Sequence, residues 1–377
     1  MHSYKDFNKE EKAYYEKMLK IIGSLSRLFS ESDVPYLDSR VAENLYCKSF
    51  KAENKGRDDS AVDAVYEKTG IGIKTFMGNS AQKIAEFNKA LLQFTSLPTL
   101  EKTKKIAELR NKRIEFAKRV YGLEEIQYHC IRREKGKMIL CEYPMEIMDI
   151  GKLKIIKDNG KSIAFTDGKG DYNFNISKSV LLKKFPKENI ASQINVEILE
   201  DPFNILDKNL ESHKKEVLKT MKIQHQFIIL PLYSIEKEEK VVPEKSGLNQ
   251  WNAGGRKRDN DEVYIRIPPW IHRKFEGFFP KRDVKFKLKL PNGYYMSAKV
   301  CQDNDKALMS DPNKALGKWI LRDVLQLKEG ELLTYKMLQE IGIDSVIIKK
   351  TGNLEYSIDF REEGEFEKFE EESLITQ

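Results

Sequence analysis

The sequence predicts an α+β protein of two domains, an α/β part followed by a β-rich part. Three observations carry that reading. The chain has 377 residues, more than a single hydrophobic core usually serves. Its first 234 residues mix helical-period stretches with strand-like runs, whereas the later part is mostly short strands and turns. With 40% hydrophobic and 33% charged residues, both parts can bury a core beneath a heavily charged surface.

The elements follow in order. Residues 1–30 predict a helix with an apolar stripe of Tyr14, Met18, Ile21, Ile22 and Leu25, and residues 40–50 predict a second. Val62–Tyr66 and Ile71–Phe76 predict a hairpin joined by Glu67, Lys68, Thr69 and Gly70. Helical spacing returns over Ser80–Phe94, with Ser80 as N-cap, and Leu100–Val120 predicts a basic helix whose charges lie in water. Strands are expected at Gln127–Arg132, Met138–Glu142, Leu153–Ile156, Ser162–Thr166 and Tyr172–Ile176, separated by turn signals such as Asp158-Asn159-Gly160. A helix is expected over Asn209–Lys222 and a buried strand over Phe227–Tyr233.

Residues 235–246 are charged, contain Pro243, and read as a linker. Beyond them strands are expected at Glu262–Ile267, Val284–Leu290, Tyr294–Cys301, Val346–Lys350 and Leu354–Phe360. One helix, Asn313–Val324, interrupts them, and 362–377 forms an acidic tail. The domains are thus expected at 1–234 and 247–361.

Composition removes several function classes. No run approaches the roughly 18 apolar residues that span a bilayer, and the N-terminus is polar, so a soluble protein without a secretory leader is expected. Cys47, Cys130, Cys141 and Cys301 form no CxxC pair, and the five histidines do not gather near them. That argues against structural zinc and fits a reducing cytoplasm. There is no GxxxxGK[ST] loop, and Gly70-Ile71-Gly72 lacks the third glycine of a dinucleotide loop.

The hairpin carries the first chemical signal. If Tyr66 pairs with Ile71, Asp63 lies directly opposite Lys74, and a carboxylate and an ammonium project from one face of an apolar ribbon. Gly72 shares that face. An Asp opposite a Lys is also a common surface pair of small energetic weight. The arrangement resembles the core of the PD-(D/E)XK nuclease superfamily, in which an Asp and an acid-x-Lys hold Mg²⁺ and position the attacking water. Asp63 matches the first acid and Lys74 the lysine, while Gly72 stands where the middle acid should be. The resemblance implies a displaced acid, for which Glu43 is the first candidate and Glu86 the second. Asp63 and Glu43 would then be the metal ligands. Glu134, Lys137 and Glu142 offer an alternative site on later strands.

The last third is more specific. Leu248-Asn249-Gln250-Trp251-Asn252-Ala253-Gly254-Gly255-Arg256 leads into Asn260-Asp261-Glu262-Val263-Tyr264-Ile265-Arg266-Ile267-Pro268. Phe278-Phe279-Pro280-Lys281-Arg282-Asp283, Lys306-Ala307-Leu308-Met309-Ser310-Asp311-Pro312-Asn313 and Gly317-Lys318-Trp319-Ile320-Leu321-Arg322 follow. Together these blocks resemble the plant B3-like DNA-binding pseudobarrel of restriction endonucleases, and in particular the C-terminal specificity domains of NgoFVII-type and BfiI-type enzymes. The resemblance implies two loops that enter the DNA major groove, an N-arm over Trp251–Asp261 and a C-arm over Gln302–Asn313. Arg256, Lys257, Arg258 and Asn260 are the DNA-binding candidates of the first arm, and Gln302, Lys306, Ser310 and Asn313 those of the second. Asp259 and Asp261 read as partners that orient the neighbouring arginines.

Relatives of this domain carry a phospholipase D-type nuclease, which needs H-x-K followed by Asp. His213-Lys214-Lys215 leads to Thr220 and His272-Arg273-Lys274 to Phe279, so that motif is absent. The combined resemblance implies a Type II restriction endonuclease with a PD-(D/E)XK-like cleavage domain, Mg²⁺ as cofactor and double-stranded DNA as substrate. A homodimer is expected, because cutting both strands takes two centres, with a cognate DNA methyltransferase as a separate protein. The alternative is a sequence-specific DNA-binding protein that does not cut. The net charge of +7 supports either reading. Residues 247–361 hold 21 Lys and Arg against 15 Asp and Glu, while the tail holds seven Glu and one Lys. The tail is therefore expected to compete with DNA for a basic surface.

Overall fold

A computed structural model describes residues 3–56, 61–87, 96–205 and 227–375. The chain forms two compact units, one of residues 1–118 and 123–223 and one of residues 119–122 and 224–377.

The first unit has two sheets. Helix α1 (Lys9–Ser24) starts at Asn8, whose side chain accepts from the Glu11 N–H, and α2 (Ser39–Phe50) starts at Asp38 in the same way through Arg40. The strands that follow are β1 (Glu53–Asn54), β2 (Ala64–Tyr66), β3 (Thr69–Met77) and β4 (Gln82–Glu86). After α3 (Thr99–Tyr121) come β5 (Glu125–Glu134), β6 (Lys137–Pro144), β7 (Lys154–Asp158), β8 (Ser162–Thr166), β9 (Asp171–Asn175), β10 (Val180–Lys184) and β11 (Ile190–Asn195). One sheet has the order β1-β2-β3-β5-β6-β11, with β3 and β5 parallel, and the other β4-β10-β9-β8-β7. The two helices cover the first sheet, where Tyr15, Leu19, Tyr46 and Phe50 pack with Ile71, Ile73, Ile131 and Leu140. Helix α3 lays Ile106, Ala107 and Leu109 against Phe165, Phe174 and Leu181 of the second.

Three expectations change here. The buried stripe of α1 is Tyr15, Leu19 and Gly23, one residue on from the predicted one, and Tyr14 and Ile21 are exposed. The helix expected over Ser80–Phe94 is instead strand β4 where it is described. Pairing with β10 supplies ladder hydrogen bonds and burial that outweigh its helical spacing. The hairpin is tighter than expected: Tyr66 pairs with Thr69 across Glu67 and Lys68, and Ala64 with Ile71. Continuing that register puts Asp63 opposite Gly72, two residues from Lys74. The helix expected over 209–222 lies outside the described residues.

The second unit is a seven-stranded, nearly closed barrel. Its strands are β12 (Phe227–Pro231), β15 (Ile265–Arg266), β16 (Phe286–Lys289), β17 (Tyr295–Cys301), β18 (Ala307–Ser310), β19 (Ile343–Gly352) and β20 (Glu355–Glu362), in the order β12-β19-β20-β16-β17-β18-β15. Between β12 and β15, the hairpin β13 (Ser234–Glu236) and β14 (Glu239–Val241) occupies part of the stretch read as a linker. Helices α4 (Pro269–Lys274) and α5 (Tyr335–Ile341) and a helical segment at 315–324 complete the barrel's ends.

The acidic tail is also an element. It forms α6 (Glu365–Ile375), which packs on β12 and β19 with Phe366 and Phe369 buried. Lys240 ties it down through Glu367 and through Asp344, whose carboxylate is 2.8 Å away. Among the described residues no helix is long and apolar enough to cross a membrane.

Candidate functional site

Two places hold the residues singled out above. In the first unit, Asp63 sits at the entrance of β2 and Lys74 midway along β3. The Asp63 Oδ2 accepts the Ile73 N–H at 2.6 Å and the Lys74 ammonium at 3.2 Å. Both side chains are about one-fifth exposed, so the pair opens to solvent on one side. Burial works against the Lys74 charge, but the Asp63 carboxylate and the Tyr128 side chain outweigh it and hold the amine above its ordinary value.

Glu43 joins them from α2. It is 7% exposed, and burial first, then the Asp63 charge, pushes its carboxyl up to about 7. Arg40 holds one of its oxygens at 2.8 Å. Two acids and a lysine therefore converge from one helix and one hairpin. A Cβ at Gly72 would lie 2.6 Å from the methyl end of the flexible Met145 side chain and 3.2 Å from the Tyr128 ring. Those two side chains fill the space that an acid at position 72 would need.

The other acids do not join. Glu86 is on the second sheet and pairs with Lys83 at 2.9 Å. Glu134 pairs with Lys137 at 3.4 Å across the turn between β5 and β6. Glu142 faces the fully buried His129, which in turn contacts the Tyr15 hydroxyl at 3.1 Å, and it accepts the Tyr4 N–H at 2.8 Å.

The donor set suits magnesium. Among the described residues no three His, Cys, Asp or Glu gather to enclose an ion. Mg²⁺, however, commonly takes one or two carboxylates and fills its remaining positions with water and substrate phosphate. Glu43 and Asp63 could supply two carboxylates, and burial first, then the Asp63 charge, raises the Glu43 carboxyl against the opposing pull of Arg40 and Lys74.

Helix α3 is less solvated than expected. Arg110 is 2% exposed and donates to the Tyr128 hydroxyl at 2.9 Å, and the buried Arg113 donates to the Glu86 carbonyl at 2.5 Å. Both are struts of the first unit.

In the second unit, the N-arm candidates separate into inner and outer residues. Lys257 is exposed, and Asn260 is exposed with its amide 3.3 Å from Glu329. Arg256 is half exposed and forks onto both oxygens of Glu262, one at 3.2 Å. Arg258 turns inward and donates to the carbonyls of Ala253 at 2.5 Å and Gly254 at 3.0 Å. Gly254 and Gly255 at the tip have open space around them, and Gly255, at φ +100°, adopts a backbone that a Cβ would strain.

Asp261 and Asp259 do not orient these arginines. Asp261 holds Arg322 at 2.7 Å, Asp259 lies 3.9 Å from Lys314, and the orienting acid is the buried Glu262. Sequence reasoning missed Glu262. The available signal was an acid four residues after Arg258 and immediately before the apolar Val263.

The C-arm candidates do not form one loop. Strand β18 divides them, with Gln302 and the exposed Lys306 before it and the exposed Asn313 after it. Ser310 is fully buried. Its hydroxyl donates to the Pro312 carbonyl at 2.9 Å and accepts the Leu316 N–H at 2.8 Å, so it holds the base of the segment and presents nothing outward. Because β15 and β18 are antiparallel, the N-arm and Asn313 share one end of the barrel and Gln302 and Lys306 the other.

The family model of the NgoFVII C-terminal B3-like DNA-binding domain matches residues 224–352. The second unit is therefore similar to the DNA-binding domain of restriction enzymes, which points to a restriction-enzyme-related DNA-binding protein. No match was found among curated proteins.

Proposed function

We propose that the protein is a sequence-specific Type II restriction endonuclease, in which the second unit reads double-stranded DNA and the first hydrolyses it. The observation that supports cleavage is the convergence of Asp63, Lys74 and Glu43 in a half-open site. Asp63 and Glu43 would hold Mg²⁺. When bound, the ion would offset phosphate charge and lower the pKa of water. The Lys74 ammonium, fixed by Asp63, donates hydrogen bonds to the attacking water and to the phosphate oxygens that gain charge. The backbone N–H of Ile73 keeps Asp63 in place through this step. In the reader, Arg256, Lys257 and Asn260 on one arm and Gln302, Lys306 and Asn313 at the other end and beside it face the duplex. Ser310 and Arg258 support them.

Two copies, one per strand, fit a double-strand cut, and a separate methyltransferase would protect the host sequence. The test is digestion of genomic DNA with Mg²⁺, followed by sequencing of the ends. Ends that share one sequence and one cut position are expected. Intact DNA across many templates and conditions would leave a reader that does not cut.

A further inference from the structure

A buried carboxylate at the base of the N-arm serves several partners. Glu262 is 4% exposed, yet its two oxygens meet both terminal nitrogens of Arg256, the Arg258 Nε at 3.7 Å and the Gln250 amide at 3.5 Å. The two arginines use it differently. Arg258 is mostly covered and spends its Nη1 on the carbonyls of Ala253 and Gly254, which folds the glycine tip back onto Glu262. Arg256 has a side chain 56% exposed, with only its far edge gripped. A guanidinium has five N–H donors, and an end-on pair through both terminal nitrogens uses two of them. Three remain, including the side edge that matches two acceptors of a base.

We propose that Glu262 is a positioning residue for DNA recognition. It holds Arg256 by the far edge so that the side edge is displayed at the arm surface, pointed at a guanine in the major groove. A free arginine on a glycine-tipped loop would sample many rotamers and would pair with any phosphate in reach. Held at the base of the arm, it reaches only the base edge in front of it. The side-chain freedom is lost before DNA arrives, and discrimination rises more than affinity. The inference deepens the reading of Trp251–Asp261 as a DNA-contacting arm and rests on it.

The test uses the full chain in EDTA, so that binding is measured without cutting. Wild-type protein selects duplexes from a randomised pool. Affinities are then measured for the selected sequence, for its single-base-pair variants and for unrelated DNA. Arg256→Ala is expected to lose discrimination at one G·C pair, roughly ten- to hundredfold. Glu262→Gln is expected to lose about tenfold at that same pair, with affinity for unrelated DNA equal to or above that of wild type. In the Arg256→Ala background Glu262→Gln should add nothing. Arg256→Lys keeps the charge without the two-nitrogen grip and should lose the same pair, which covers the case of a misfolded Glu262 variant. Full discrimination by Glu262→Gln, or equal losses in both backgrounds and at every position, would overturn the proposal. If Arg256→Ala discriminates like wild type, the arm does not read DNA there and the proposal fails with it.

Discussion

The Lys74 ammonium lies 3.2 Å from the Asp63 carboxylate, although the hairpin register sets the two residues diagonally and not face to face. A diagonal pair reaches across only with a long side chain. Lys74 therefore leans back along β3 toward the entrance of β2, where Glu43 arrives from α2.

Removing either member of the pair should stop catalysis without touching the reader. Asp63→Asn and Lys74→Met are expected to lower cleavage by at least about a hundredfold, in the range for losing one stabiliser of transition-state charge. Binding to the selected duplex should stay within twofold. Plasmid cleavage and gel-shift titration of the same preparations check both halves.

Glu43 should make the reaction pH-dependent. Its carboxyl is pushed up to about 7, and metal binding needs it ionised. At limiting Mg²⁺, cleavage should rise as pH passes through about 7. Stability runs the other way. An acid whose folded pKa is raised stabilises the fold below its unfolded value of 4.5, and that contribution is lost as pH climbs to about 7. Glu43→Gln should therefore match wild type near pH 4 and exceed it above pH 7 by roughly 3 kcal/mol in metal-free buffer. Denaturant unfolding at the two pH values measures the difference.

The acidic C-terminal segment should behave as part of the barrel. Phe369→Ala is expected to cost about 3 kcal/mol, because the ring is buried against Phe275, Trp270 and Phe227. Lys240→Met leaves the fully buried Asp344 without its cation and should cost about 3–5 kcal/mol. Thermal unfolding reads both. Deleting 362–377 should lower the melting temperature. The sequence suggested a free competitor for DNA, in which case deletion would raise affinity in low salt and leave stability unchanged.

On the N-arm, Lys257 and Arg258 should separate by phenotype. Lys257 is exposed, and Lys257→Ala should weaken binding to all sequences alike and reduce the salt slope by about one. Arg258→Ala removes the brace on Ala253 and Gly254 and should loosen the arm. Its loss should appear as faster amide exchange of residues 253–257 as well as weaker specific binding. Titrations at several salt concentrations and hydrogen exchange distinguish the two.

Local signals made much of this legible. Turn residues and alternation marked β8, β16 and β17 because each lies beside its sequence neighbour. The contact between Asp63 and Lys74 was legible because a hairpin brings nearby residues together, and the long lysine tolerated an error in register. Strand β4 was missed because its partner β10 lies almost a hundred residues away and spacing alone favoured a helix. Arg110 and Arg113 looked solvated because periodicity does not show that a second sheet covers their face. Glu262 was missed because a buried acid becomes recognisable only when the arm folds two arginines over it.

The division of the arms by β18 bears on how long a target the reader addresses. The five steps from Lys306 to Asp311 extend about 16 Å at the usual rise of a strand. Base pairs stack about every 3.4 Å, so that distance corresponds to four or five of them. A duplex lying along the strand would meet the first arm and Asn313 at one boundary of such a word and Gln302 and Lys306 at the other. The bases between would face the side of the barrel. The recognised sequence is then expected to have two strictly read ends and a more permissive middle, with its length set by one four-residue strand.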